Sequence, residues 1–442
     1  MISPSRPSDV NPYESPQEAA EPTGPPPSRG SLLVIFLTVF IDLLGFGMVL
    51  PLLPIYAKSF GVKEAGWEIG LLMSSFSAMT FIFAPLWGRA SDRVGRRPVL
   101  IVGLIGSVFF YILFGVATVF QSMTLLFVAR IGAGIAGATI PAAQAYIADV
   151  TTLQNRAKGM ALIGAAFGLG FTFGPLLGAA ALLFSADVAA SPWPGYAAAV
   201  LSGVALVLAI TLLPESLRPG SLPAGHKIID WRAWHDAFET PSVPALLATA
   251  FASVVSFAAF ETTLSLLLNS ETFRFSFARV LLYYAFIGLT LSLAQGFLVR
   301  RLAPKVGEVV MTLAGGITTM LGFALLIVAS QAGELWLLMI ASAIEVTGFA
   351  LMTPSLQSLI SRRSDPAKQG GILGVSQSTS SLARVVGPLI AVPLFFQSAP
   401  LPYWAAIGIM AVSTAIFVLF ARRGRDYVAG PVELSVPAEA ME

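Results

Sequence analysis

Gly88-Arg-Ala-Ser-Asp92-Arg93-Val-Gly95-Arg96-Arg97-Pro98 separates two long apolar stretches, 67–87 and 98–119. A helix needs about 20 apolar residues to cross a hydrocarbon layer about 30 Å thick, so either flank is long enough to span a membrane. Four arginines between two such flanks describe a helical hairpin whose turn is held at a polar surface. Positive charge alone accounts for the arginines, but not for the acid or the glycines. Gly88 and Gly95 permit close backbone approach, and Asp92 is suited to capping a helix N-terminus.

Reading outward, the same pattern fills the chain. Of 442 residues 56% are hydrophobic and 11% charged, with a mean hydropathy of +0.79. Soluble chains carry roughly 25% charged residues, so the composition excludes an ordinary soluble enzyme or nucleic-acid binder. Spans are expected near 31–57, 67–87, 98–119, 122–147, 158–184 and 195–214, and again near 243–268, 278–299, 307–330, 334–360, 369–396 and 402–421. The expected fold is an all-α polytopic membrane protein of twelve helices in two six-helix bundles. Its divisions are a disordered tail (1–30), a first bundle (31–214), a central loop (215–242), a second bundle (243–421) and a C-terminal tail (422–442).

Charge placement orients this array. With the N-terminus inside, twenty of the 26 Lys and Arg residues fall on the inner side. Four lie outside (Lys58, Lys63, Arg274, Arg279), and Arg130 and Arg384 fall within spans. The positive-inside rule then places both termini in the cytoplasm. The halves also repeat: Gly174-Pro175-Leu176-Leu177-Gly178 returns as Gly387-Pro388-Leu389-Ile390-Ala391, and Ala157-Lys158 as Ala367-Lys368. Parallel six-helix repeats about a polar central loop are a transporter plan.

The chemistry available is narrow. With no Cys, disulfides and thiolate chemistry are excluded. Both histidines, His226 and His235, lie in the central polar stretch, which leaves little for zinc catalysis or a Ser-His-Asp triad. No phosphate-binding loop of the form G-x-x-x-x-G-K-[ST] occurs. Gly132 to Gly137 spells G-x-G-x-x-G, but inside an apolar span, where small residues serve packing rather than dinucleotides. No enzyme activity, metal or organic cofactor is expected. A non-transporting receptor is disfavoured by the repeat.

Charged residues inside spans are costly and default to function. Asp42 lies about 17 Å into the first span, at about 1.5 Å per residue, near the bilayer midplane. Together with Glu261 and Glu345 it is a candidate proton carrier, against the plainer reading of a helix-packing hydrogen bond. Arg130 costs at least about 2.5–3.5 kcal/mol where it lies and is expected to face the bundle interior. Gln144, Gln377 and Arg384 are candidate cavity residues. Gly170, Gly174 and Gly178, four apart beside Pro175, form a smooth face that lets another helix approach.

The Gly88–Pro98 stretch resembles the signature loop of the major facilitator superfamily, G-x-x-x-D-R-x-G-R-R/K. The span containing Gly170, Gly174, Pro175 and Gly178 is similar to that family's antiporter motif. Within it, the chain most resembles bacterial drug:proton antiporters that include tetracycline exporters, through Asp42–Pro54, Arg130–Thr151, Gly164–Gly178, Leu213–Ser216 and Gln369–Pro388. The resemblance implies alternating access, with Gly88, Asp92, Arg93, Gly95, Arg96, Arg97 and Asp149 as a latch between the bundles and Arg130 associated with proton transfer. It also implies proton-coupled export of small amphipathic molecules or drugs, tetracycline-like compounds among them, from a monomer in a bacterial inner membrane. Small-molecule substrate, protons and lipid are the expected partners, without nucleic acid. Export of sugars or an endogenous metabolite, or proton symport, are the alternatives. Phe110, Leu291 and Thr319 stand where tetracycline exporters carry polar residues, a departure from that subgroup. Cysteines introduced at Ser59 and Ser270 should react with an impermeant thiol reagent applied outside, and one at Ser364 should not; reversed labelling would overturn the orientation.

Overall fold

The computed structural model describes residues 29–61, 66–151, 153–185, 191–217, 231–365, 369–422 and 424–426. The N-terminal tail up to residue 28, most of the C-terminal tail and much of the central loop lie outside the described residues. The first crossing is α1 (Arg29–Val49), a 3-10 turn (Leu50–Leu52) and α2 (Leu53–Ser59). Then come α3 (Trp67–Val94), α4 (Arg96–Val119), α5 (Met123–Ala136) with α6 (Ile140–Val150), α7 (Leu153–Leu182) and α8 (Trp193–Leu212). A short helix, α9 (Trp231–Glu239), precedes the second half. That half contains α10 (Val243–Leu268), α11 (Phe277–Leu293), α12 (Arg300–Ala332), α13 (Leu335–Arg363), α14 (Gln369–Gln397) and α15 (Leu401–Ile416). Wider π-helical turns extend α11 through Val299 and α15 through Ala421.

Phe277–Ala332 runs as one helical stretch of 56 residues, about 84 Å at 1.5 Å per residue, far longer than a bilayer is thick. Gly307, at φ 78° and ψ 160°, breaks it into two crossings. The described residues thus make twelve crossings and no strand, so Arg29 and Asp426, at the two described ends, lie on one side, here called the terminal face. Large apolar side chains such as Phe109, Val200, Ile317 and Phe420 point outward, as lipid-facing helices require.

Three local expectations change. Gly88–Val94 is not loop but the last turns of α3, and the connection shrinks to Gly95, whose φ of +109° suits only glycine. Asp92 therefore sits inside a helix end and caps nothing. The fourth crossing is two helices, because Pro141 in the first turn of α6 cannot donate to a preceding turn. The central loop, expected to be plain polar chain, contains α9, whose Ala233 and Ala237 pack inward while Phe238 is exposed.

Glycine fixes the tightest contacts. A Cβ on Gly174 would lie 2.7 Å from the Leu44 carbonyl oxygen, and one on Gly47 2.6 Å from that of Gly170, so α1 and α7 touch backbone to backbone. The second half repeats this: a Cβ on Gly387 would lie 2.7 Å from the Val255 carbonyl oxygen, joining α14 to α10. Gly178 faces Met48 and also Leu281 of the other half.

The two bundles meet along two antiparallel seams. On one, α7 meets α11: Phe171 lies against Gly288, and the Ser292 hydroxyl is 3.1 Å from that of Thr172. On the other, the Ser74 hydroxyl of α3 donates to the Val385 carbonyl of α14 at 2.6 Å, and Gly70 lies against Pro388. Both seams run from mid-depth to the face distal to the termini, where Tyr56 meets Phe277 with ring centroids 5.5 Å apart. The largest apolar core joins the two bundles through this distal half, whereas Ile35, Val39, Leu100, Tyr146 and Ala209 form a separate core within the first bundle. Gly174→Val should overpack the α1–α7 contact at a cost of about 1–3 kcal/mol. Thermal unfolding in detergent should show a lowered midpoint, while Gly203→Ala, with nothing within 4 Å of its Cβ, should not.

Candidate functional site

Each bundle encloses its own polar centre at mid-depth. In the first, the Asp42 carboxylate on α1 accepts a hydrogen bond from the Ser202 hydroxyl of α8 at 3.3 Å, with Ser107 of α4 as a second hydroxyl partner. Gly45, one turn on, leaves room for the Tyr111 ring. Arg130 on α5 is 2% exposed, and its guanidinium lies over the Phe76 ring at 4.6 Å and near Phe46 at 5.9 Å. Its Nε has no hydrogen-bond partner, so the aromatic faces stabilise the buried charge. No ion pair joins Asp42 to Arg130; Tyr111 neighbours both.

The second bundle does bring candidates together. Arg384 Nη1 on α14 lies 3.6 Å from Glu261 Oε2 on α10. The Tyr284 hydroxyl of α11 hydrogen-bonds Ser265 at 2.8 Å and donates to the Glu261 backbone carbonyl. Glu345 on α13 is fully buried and neither carboxyl oxygen has a partner. It is pressed against Gly322 of α12, where any Cβ would come within 2.5 Å of the Glu345 backbone nitrogen. Gln377 is exposed on α14 and Gln144 half-buried on α6.

At the terminal face, Arg96 organises a third cluster. Its Nη1 donates to Ser91 at 2.8 Å and pairs with Asp92, while Nε donates to Asp149 at 3.1 Å. Glu215, just beyond α8, accepts from the backbone N–H groups of Arg96, Arg97, Ser216 and Leu217 at 2.9–3.1 Å. Thus Glu215, not Asp92, caps the start of α4. These contacts all fall within the first bundle, so in this conformation the loop latches α3, α4, α6 and the end of α8 to one another. Arg93 is exposed.

The family model of the Major Facilitator Superfamily matches residues 35–388. The chain belongs to this superfamily. It is 33% identical to the class C tetracycline resistance protein of Escherichia coli over 377 residues, covering 84% of this chain and 91% of that one. The human organic anion transporter MFSD10 (TETRAN) superposes with a TM-score of 0.66 at 27% identity, over 89% of this chain and all of that one. A bacterial homolog of the lysosomal transporter Spinster, in an inward-facing conformation, gives a TM-score of 0.73 at 15% identity, a likeness of fold alone, over 90% of this chain and 98% of that one.

Against this superfamily background the departures acquire structural content. Phe110 fills the space beside Gly132, Leu291 is partly buried on α11, and the Thr319 hydroxyl is buried without a partner near Gly348. Sequence reasoning missed Glu215, Tyr111 and the aromatic cradle of Arg130. It also missed a terminal-face cluster in the second half, where Arg362 binds Glu308 at 3.0 Å and pairs with Asp426. The Pro214-Glu215-Ser216 stretch was visible, but a cap reaching across more than a hundred residues leaves no local signature. Glu215→Ala should cost about 1–2 kcal/mol by uncapping α4, read as a lower unfolding midpoint; Glu215→Gln should recover part of it.

Proposed function

We propose that this chain is a proton-coupled exporter of small amphipathic molecules, working by alternating access as a monomer in a bacterial inner membrane with its termini in the cytoplasm. The observation that carries the reading is the set of three carboxyl groups held inside membrane helices, Asp42 and Glu345 near mid-depth and Glu261 nearer the distal end of α10. Carboxylates there are costly and mark pathways for protons, ions or substrate. Among the described residues the hydrogen-bond partners of Asp42 are hydroxyls, and Glu345 has none.

Alternating access is supported by the seams between the bundles. They close the distal half through contacts that ride on glycine and end at Ser292 near mid-depth. The Arg96 cluster supports a conformational role for the signature loop, since Asp92 and Asp149 stay 37% and 28% exposed and free to re-pair. The tetracycline resistance relatives support export of drug-like molecules. Phe110, Leu291 and Thr319 favour a substrate other than tetracycline itself.

A proton entering down its gradient supplies about 2.3 kcal/mol per 100 mV and about 1.4 kcal/mol per pH unit. Asp42→Asn keeps the shape and the Ser202 contact but cannot exchange a proton. In proteoliposomes with an imposed pH gradient, the variant should lose uphill export while keeping downhill exchange. Uphill export at the parental rate would remove Asp42 from the coupling path.

A further inference from the structure

Arg384 is placed unlike the other intramembrane cation. Arg130 is sealed beneath aromatic rings, whereas the Arg384 side chain is 38% exposed. It nevertheless lies about 20 Å from either end of α14, at about 1.5 Å per residue. A guanidinium that is both deep and open faces water rather than hydrocarbon. The helix shows which way: Gln377, Ser381, Arg384 and Pro388 recur at one-turn spacing on one face. Pro388 touches α3 of the other bundle, so this face lines the space between bundles. Leu382 and Ile390 occupy the opposite, lipid-facing side.

The guanidinium there is under-used. Its one partner is Glu261, at 3.6 Å, too long for a hydrogen bond, and the Glu261 side chain is itself 11% exposed. A planar fork of five N–H donors that makes no hydrogen bond among the described residues is open to a carboxylate. At the same depth the first bundle contributes the half-buried rings of Phe46, Phe76 and Phe171, with centroids 5.0 and 5.9 Å apart.

We propose that Arg384 is the anion-recognition residue of the transport site, that the substrate is an amphipathic organic carboxylate, and that Glu261 is the internal counter-ion this carboxylate displaces. The inference rests on the transport reading above and deepens it by naming the substrate class. The displacement has a sign that a structural ion pair lacks. If the pair merely held α10 to α14, removing either charge would weaken the protein in the same way. As a site and its competitor, the two charges act in opposite directions on anion binding.

Equilibrium binding to the full chain in lipid nanodiscs, with empty nanodiscs subtracted, decides between them. The probes are naphthalene-2-carboxylate and anthracene-9-carboxylate, each with its neutral amide and its aminomethyl analogue. The parental protein should prefer each carboxylate to its amide by about tenfold or more, the scale of a charge-assisted hydrogen bond. Arg384→Gln should abolish that preference, Arg384→Lys should retain part of it, and Glu261→Gln should strengthen carboxylate binding, with amide affinity within about twofold throughout. Equal binding of acid and amide, preference for the amine, or no saturable binding of either acid overturns the proposal. So does a loss of carboxylate binding in Glu261→Gln, which also serves if Arg384→Gln does not fold. Because no gradient is applied, anion-selective binding without uphill transport in proteoliposomes would count against the export reading alone.

Discussion

Inside a bilayer no water is available to satisfy a displaced backbone group or to fill a gap between helices. Helices must therefore bring their own smoothness, and here it comes from glycine. At Gly47, Gly170 and Gly174 the main chains of α1 and α7 come within contact distance, and Gly387 repeats the arrangement between α14 and α10. The seams between bundles sit on the outer flanks of these same helices, on α7 and α14. The geometry of each bundle and the geometry of its encounter with the other are thus set by the same two pieces of backbone.

Low dielectric gives three different answers to the problem of a buried charge. Arg130 is surrounded by ring faces and asks for little hydrogen bonding. Arg384 stays partly wet beside a carboxylate held at arm's length. Arg96, at the polar edge, is saturated by two carboxylates and a hydroxyl. Depth orders them: the deeper and drier the site, the fewer formal charges are gathered around it, as desolvation cost requires.

Fold class and span count were legible because hydrophobic length is a one-dimensional property. The helix at 243–268 was placed to the residue, and that expected at 369–396 ends one residue later, at Gln397. The signature loop was legible as a motif but not as a shape, since Gly88–Val94 continues α3 and the cap of α4 is delivered by Glu215 from beyond the end of α8. The glycine face at Gly170–Gly178 could be read, yet its partner could not, because spacing shows that a helix is smooth but not what lies on it. Candidates Glu261 and Arg384 were found singly, and only the packing of α10 on α14 makes them a pair. Glu345 shows the converse: its depth was evident from sequence, while the absence of any partner is visible only once α12 and α13 are assembled around it.

The terminal-face clusters of the two halves are built on the same plan with the signs rearranged. Gly95 and Gly307 both turn the chain with positive φ ahead of the charged residue that opens the next helix. That residue is cationic in the first half, Arg96, and anionic in the second, Glu308. Its partner near the end of the following crossing is Asp149 in one half and Arg362 in the other. Equivalent positions in the two halves thus carry opposite charge. Each cluster is closed within its own half, Arg96 on Asp92 and Asp149 and Arg362 on Glu308 and Asp426, so either half can exchange the order of its charges without a matching change in the other.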